Sequence, residues 1–326
     1  MVFGECLWRI QANSEEKRAV SGIAPLPALL LGLMRVMQIA ASQSPAQIAR
    51  ASGSNFLISF LFLSPGRRRG LLALYAFCRV VDDAVDLGTT EGNETAEKHL
   101  AFWEEELDRA FSGTPKTPLG FALHRAGLRF GLDPKPLQEL CLGVRMDLSP
   151  KPYDDFDSLK VYMHRVASAV GIACLPIFGA DPIAAKPYAE ALGLALQYTN
   201  ILRDIREDVL YGRCYLPMDR MQAYGLTVED LKDPKKKDLL KKGSPFDAFL
   251  SEEFARARSL YRKAEAALPV NRTKGLKPAR IMGRIYEALL DQVERVGPRI
   301  LVEPKVRVPK WKKLWLALST FNPHDS

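Results

Sequence analysis

The sequence predicts an all-α fold, built as a single domain after a short N-terminal extension. Three observations carry that expectation. Apolar residues recur at helical spacing along almost the whole chain from Ser54 onward. Glycines stand just past several of these periodic runs, where a helix stops easily because glycine accepts the left-handed conformation. No stretch shows the convincing period-two alternation of a half-buried strand. With 326 residues, 47% of them hydrophobic, the chain is long enough to enclose a sizeable core. No compositional linker or internal repeat divides it. Residues 51–326 therefore read as one domain, and residues 1–50 as an extension of uncertain structure in which Met34 or Met37 is a reasonable alternative start.

The elements follow in order. Residues 71–87 form an apolar helix pattern. Residues 95–112 are amphipathic and end at Gly113; residues 118–130 begin with Pro118 and end at Gly131. A helix over 136–148 precedes a proline-containing loop. Two more, 159–178 and 182–211, end at Gly179 and Gly212. Residues 227–242 are the most charged stretch and read as a surface connection. Helices over 246–268 and 276–295 complete the pattern.

Composition narrows the function classes without choosing one. Lys plus Arg outnumber Asp plus Glu by 46 to 38, for a net charge of +8, which suits anionic partners such as phosphorylated small molecules, nucleic acid or an anionic membrane. Basic residues interleaved with aromatics, as a nucleic-acid surface would show, are not recognisable, and no nucleic-acid partner is expected. The five cysteines are scattered beside apolar residues without a CxxC pair, as in a reducing compartment, and the four histidines make no zinc pattern. No apolar run reaches the ~18–20 residues that span a bilayer. The best candidate, residues 23–41, is broken by Pro25, Pro27 and Arg35, so the chain is read as non-spanning.

Two acidic stripes carry the chemistry. In "YAFCRVVDDAVD", with Tyr75 set at zero, Asp82 projects at about −20°, Asp86 at about 20° and Arg79 at about 40° around an ideal helix. Phe77, Val80, Val81 and Ala84 lie elsewhere on the same helix. Asp83 lies about 60° from Asp86 and is the aspartate of this motif least suited to a direct metal role. In "LQYTNILRDIREDVLYGRCYLP", Gln197, Asn200, Asp204 and Asp208 fall within about 80° of arc. Like charges one turn apart repel, and burying them is costly unless cations meet them. A single pair reads equally well as a solvated face. Two pairs, each in an apolar helix and each beside arginines, point to hard-cation chemistry. Mg²⁺ takes oxygen ligands and is typically held by one or two carboxylates together with substrate phosphates. Arg79, Arg203 and Arg213 suit the remaining phosphate oxygens. A diphosphate held this way becomes a better leaving group, and an apolar helical cavity would shield a hydrocarbon cation from water.

These motifs resemble those of the squalene and phytoene synthases, the head-to-head prenyltransferases, over about residues 54–318. The resemblance implies an isoprenoid-synthase helical bundle around a deep central cavity. It implies a Mg²⁺–diphosphate site of two or three ions held by Asp82, Asp86, Asn200, Asp204 and Asp208. Tyr75, Arg79, Gln197, Arg203 and Tyr286 match substrate-diphosphate contacts, with Arg213 beside them and Lys305 and Arg307 as helpers. "GSNF", with Ser54, resembles the serine-rich entry motif, although Asn55 replaces a serine often found there. His164 stands where phytoene and dehydrosqualene synthases usually carry a tyrosine. The plain reading of His164 is a helix residue facing solvent or packing; the sharper one is a lost part of the later rearrangement. Ala167, Ser168, Ala169 and Gly171 suit either close helix packing or room for a prenyl chain.

"VASAVG", "GVRMDL" and "NILRDIRED" look most like bacterial presqualene diphosphate synthase of the hopanoid–squalene pathway. The expected reaction is Mg²⁺-dependent condensation of two farnesyl diphosphates to presqualene diphosphate, without NADPH. Tyr75 or the departing diphosphate would take the proton. The alternatives are phytoene, squalene or dehydrosqualene synthase, and more remotely a non-enzymatic scaffold relative. A lipid substrate implies a cytoplasmic protein, peripheral at the inner face of the membrane, with downstream squalene-pathway enzymes as possible partners. Residues 305–321, "KVRVPKWKKLWLALSTF", suit an interfacial segment, or a C-terminal helix packed on the body.

Overall fold

The computed structural model of the protein describes residues 42–51, 60, 63–233, 236–269 and 275–320, with the side chains of 50, 51 and 86–91 outside the description. Among the described residues every regular element is helical. They fall into two compact units, divided after Leu148.

The unit before Leu148 holds α1 (Pro45–Ala51), α2 (Pro65–Glu91), α3 (Asn93–Ser112), α4 (Pro118–Phe130) and α5 (Lys135–Leu148). Helix α2 packs against all four of the others. It is accordingly apolar nearly all round: Leu71, Leu74, Phe77, Val81 and Ala84 are buried on different sides of it. Local chemistry sets the boundaries of its neighbours. Helix α4 begins with Pro118 behind an N-cap at Thr117, whose hydroxyl accepts the Gly120 N–H. Helices α3 and α4 stop at Gly113 and Gly131, both left-handed. The loop joining them is tied down by Glu106, which is fully buried. Its Oε1 accepts the Lys116 N–H at 2.9 Å, the Thr117 N–H at 2.7 Å and the Thr117 hydroxyl at 2.9 Å, while its Oε2 accepts Arg109 Nε at 2.8 Å.

The second unit begins with α6 (Phe156–Met163), which runs through a π-helical turn (His164–Ser168) into α7 (Ala169–Phe178). Then come α8 (Lys186–Leu210), the short α9 (Met218–Ala223) and α10 (Val228–Lys232), α11 (Pro245–Ala266), α12 (Lys277–Val296) and α13 (Lys310–Ser319). Helix α8 is central here, in contact with α6, the π turn, α7, α10, α11 and α12. A Cβ on Gly193 of α8 would stand 2.5 Å from Ser168 Cα, and one on Gly171 would meet the Ala189 carbonyl at 3.2 Å. The small residues around Ser168 thus serve close helix approach, and the Ser168 hydroxyl donates to the Glu190 carbonyl at 2.7 Å across it.

The stretch Phe156–Phe178 is long and apolar enough to cross a membrane by length and composition, contrary to the sequence expectation of no such run. Two thirds of its most apolar window (67%) is buried inside the fold, as in the core helix of a water-soluble protein. The charged stretch 227–242 contributes α10, started by a capping box between Thr227 and Asp230, and a short 3₁₀ turn at Lys237–Leu240. Each unit therefore wraps its shorter helices around one long central helix. Those two central helices are the ones that carry the acidic stripes.

Candidate active site

In the first unit the acidic stripe lies on α2. Tyr75 and Arg79 are each 1% exposed, and Asp82 is buried beside them. The Arg79 guanidinium reaches two carboxylates of its own helix: Nη2 lies 2.6 Å from Asp83 Oδ1, and Nη1 lies 3.9 Å from Asp82 Oδ2. A guanidinium removed from water needs such anions nearby. The aspartate least suited to metal by its angle, Asp83, is thus the one in closest contact with Arg79. Tyr75 is held by an edge-on contact with Phe60, ring centroids 6.1 Å apart. From α3, the buried His99 Nε2 lies 3.1 Å from the Val80 carbonyl and 3.1 Å from Trp103 Nε1, and in one tautomer it donates to the first while in the other it accepts from the second. Burial pushes the His99 pKa down, so this brace is neutral. Asp86 lies on α2 one turn beyond Asp82, but its side chain is outside the described set, as are Ser54 and Asn55 altogether.

In the second unit the acidic stripe lies on α8. Gln197 and Asn200 are each 1% exposed, Arg203 is buried, and Asp204 and Asp208 are half-buried. Arg203 clamps Asp204 with two parallel bonds, Nε to Oδ1 at 2.7 Å and Nη2 to Oδ2 at 2.5 Å. Lys305 arrives from the segment before α13, with Nζ 3.0 Å from Asp204 Oδ1 and 2.6 Å from Glu207 Oε2. That segment is pinned to α8 by Arg206, whose Nη1 donates to the Val302 and Glu303 carbonyls at 3.2 and 3.3 Å. Tyr286 of α12 is buried. Beside it, Tyr261 of α11 shares a 2.8 Å hydrogen bond with Thr199 of α8.

The two aspartates of this stripe titrate in opposite directions. Burial alone would raise the Asp204 pKa, but Arg203 and then Lys305 overcome that and hold it at about 2. Asp208 is raised to about 7, first by burial and then by the Asp204 charge one turn away, with Arg213 and Lys305 opposing. The half-buried Arg213 is placed by a tight turn. Its N–H reaches back to the Asp208 carbonyl at 2.8 Å, and Gly212 between them has a φ of 75° that a side chain would strain.

This donor set fits a hard cation. Gln197, Asn200, Asp204 and Asp208 offer only oxygen, along one side of one helix, and the buried Gln197 Oε1 has no hydrogen-bond partner among the described residues. Among the described residues no three His, Cys, Asp or Glu side chains converge on one point. Few protein carboxylates per ion is the arrangement Mg²⁺ adopts when phosphate oxygens and water complete its octahedron.

Sequence reasoning located both stripes but placed Lys305 only among helpers and gave Glu207 no role. Their contacts are made across an irregular segment, which carries no periodic signal. The π turn at His164–Ser168 was also missed, because no residue type marks it; within it His164 is half-buried.

An all-helical chain built around long central helices is the architecture of the isoprenoid-synthase class of folds. Solved structures bear this out. A dehydrosqualene synthase bound to a ligand superposes with a TM-score of 0.73 at 24% identity, covering 90% of this chain and 97% of that one. A squalene synthase from Alicyclobacillus acidocaldarius gives 0.66 at 26% identity, covering 81% and 95%. The squalene/phytoene synthase family profile matches residues 49–312. A phytoene synthase of Arthrospira platensis is 33% identical over 281 residues, 82% of this chain and 88% of its own length. The chloroplastic phytoene synthase 3 of Zea mays is 33% identical over 275 residues, of which this chain spans 62% of the relative's length. The chain belongs to the squalene/phytoene synthase family and is a prenyltransferase of isoprenoid biosynthesis. Family members use a divalent metal with their diphosphate substrates.

Proposed function

We propose that the protein condenses two farnesyl diphosphates head to head, giving presqualene diphosphate and free diphosphate with Mg²⁺ as the metal. The observation that carries a diphosphate-ionising role is the α8 stripe: Asp204 held ionised by Arg203 and Lys305, with Asp208 one turn on and Arg213 beside it. Asp82, Asp86, Asn200, Asp204 and Asp208 are the proposed metal-holding oxygens. When bound, Mg²⁺ supplies positive charge to the diphosphate oxygens and makes that group leave more readily.

The chain's own residues do the rest. Arg79, Gln197, Arg203, Arg213 and Tyr286, with Ser54, position phosphate oxygens by charge and hydrogen bonding. The C1–O bond of the first substrate breaks, and the electron pair leaves with diphosphate. The C2=C3 π pair of the second substrate then forms the new bond to that C1. Loss of one proton closes the cyclopropane, taken up by the departing diphosphate or by Tyr75, which stands one helical turn from Arg79 on the same side of α2. NADPH has no part in this step.

The presqualene assignment rests on the sequence likeness of "VASAVG", "GVRMDL" and "NILRDIRED". A second reading has a specific observation in its favour: the curated relatives at 30–33% identity are phytoene synthases, which favours geranylgeranyl diphosphate as substrate. Offering each diphosphate in turn with Mg²⁺, with and without NADPH, and weighing the product by mass separates the two readings. A C30 cyclopropyl diphosphate supports the first, and phytoene the second.

A further inference from the structure

We propose that the outward face of α13 docks on an anionic lipid bilayer. This helix is apolar on the side it turns to solvent. Trp311 is 71% exposed, Leu314 47%, Trp315 57% and Leu318 54%, so one ten-residue helix holds four of the twelve exposed large hydrophobic side chains of the described residues. With Trp311 at zero, Leu314, Trp315 and Leu318 project at about −60°, 40° and −20°, so the four form a single stripe. The helix does not need that stripe for its own packing. Its other side is buried through Lys313, Leu316 and Ala317, and its end is anchored where Arg284 Nη1 of α12 donates to Thr320 Oγ1 at 3.1 Å.

The charges select the occupant. Lys310 and Lys312 project at about −100° and 100°, one on each shoulder of the stripe. Of the five basic residues from Lys305 to Ser319, Lys305 pairs with Asp204 and Glu207 and Lys313 is buried, so Lys310 and Lys312 carry the charge beside the stripe, and the stretch holds no acidic residue. Tryptophans flanked by lysines are the composition of a helix lying in a membrane interface: indoles sit at headgroup depth while the lysine ammonium groups reach lipid phosphates. A second copy of this helix is a poorer fit, because it brings Lys310 and Lys312 no acidic partner in either orientation, whereas lipid phosphates supply one. The inference does not depend on which prenyl diphosphate the enzyme uses.

The test uses the full chain and sedimentation with phosphatidylcholine vesicles, with or without phosphatidylglycerol. The wild-type protein is expected to bind the vesicles containing phosphatidylglycerol, less so at high salt. Trp311→Ser/Trp315→Ser is expected to bind about tenfold or more weakly. Lys310→Glu/Lys312→Glu, which leaves the apolar stripe intact, is expected to lose the preference for anionic lipid. Ile183→Ser, which removes an isolated side chain 87% exposed elsewhere on the unit, is expected to change nothing. Because the altered side chains are exposed, or half-buried in the case of Lys312, each variant should keep the wild-type thermal transition; should one fail to fold, the other pair still decides. Failure of the wild-type to bind either vesicle, equal binding by wild-type and both double variants, or a wild-type dimer that becomes monomeric in Trp311→Ser/Trp315→Ser would each overturn the proposal.

Discussion

Lys305 Nζ lies 3.0 Å from Asp204 Oδ1, so the irregular segment before the last helix supplies a charge to the acidic stripe of α8. The same ammonium pairs with Glu207, and Arg206 fastens the segment's backbone to the helix. This contact makes Lys305 a positioning residue for Asp204. Lys305→Ala should leave the fold intact, lower kcat/KM roughly ten- to hundredfold and raise the Mg²⁺ concentration needed for half-maximal rate. Lys305→Arg should recover part of the loss. A merely structural role would leave the Mg²⁺ dependence unmoved.

Asp208 sets the expected pH dependence. Its pKa is raised to about 7, by burial and by Asp204, so near neutrality it is divided between protonated and ionised forms. A metal-holding carboxylate must be ionised, so turnover at limiting Mg²⁺ should climb through about pH 7, and the rise should move to lower pH as Mg²⁺ is increased. The stability effect has the opposite sign. A carboxyl whose pKa is raised on folding stabilises the fold below its unfolded value near 3.8, and that contribution is lost as pH rises through about 7. Asp208→Asn should thus abolish turnover yet raise stability at pH 8 without metal, on the order of 1–2 kcal/mol. Thermal melts of both proteins at pH 5 and pH 8 check the sign.

Gly193 admits α8 to the π turn, where a methyl group would meet backbone rather than a flexible side chain. Gly193→Ala should cost about 1–3 kcal/mol through overpacking despite alanine's better helix propensity. A denaturant midpoint equal to the wild-type value would show that the two helices part without cost.

Glu106 caps a loop from inside the other unit. Glu106→Gln keeps its size and can still turn one oxygen to the donors at Lys116 and Thr117, but it then sets its amide NH2 against Arg109 Nε and loses the charge that faces that guanidinium. A loss of about 2–3 kcal/mol is expected, read from the same denaturant curves. Gly120→Ala should be at least as damaging, since its Cβ would fall 1.9 Å from Glu106 Oε1.

Much of the fold was legible because it is written locally. Gly113, Gly131 and Gly179 end helices where their left-handed preference says they should, and Pro118 begins one. The stripes were legible for the same reason: Asp204 and Asp208, or Arg79 and Asp82, are neighbours within one helix. Asp83 shows the limit of that reading. Its angle set it apart from the stripe, yet the Arg79 side chain is long enough to reach it at 2.6 Å. Lys305 and the π turn were not legible, since one contact spans an irregular segment and the other depends on how closely Ser168 and Gly193 meet.

The most direct test of the proposed reaction is the mass of the product made by the purified protein from farnesyl diphosphate and Mg²⁺. The account predicts presqualene diphosphate, formed without NADPH, absent when Mg²⁺ is chelated, and absent in an Asp204→Ala variant that retains wild-type helix content. Product formed only from geranylgeranyl diphosphate, or full activity in Asp204→Ala, would contradict it.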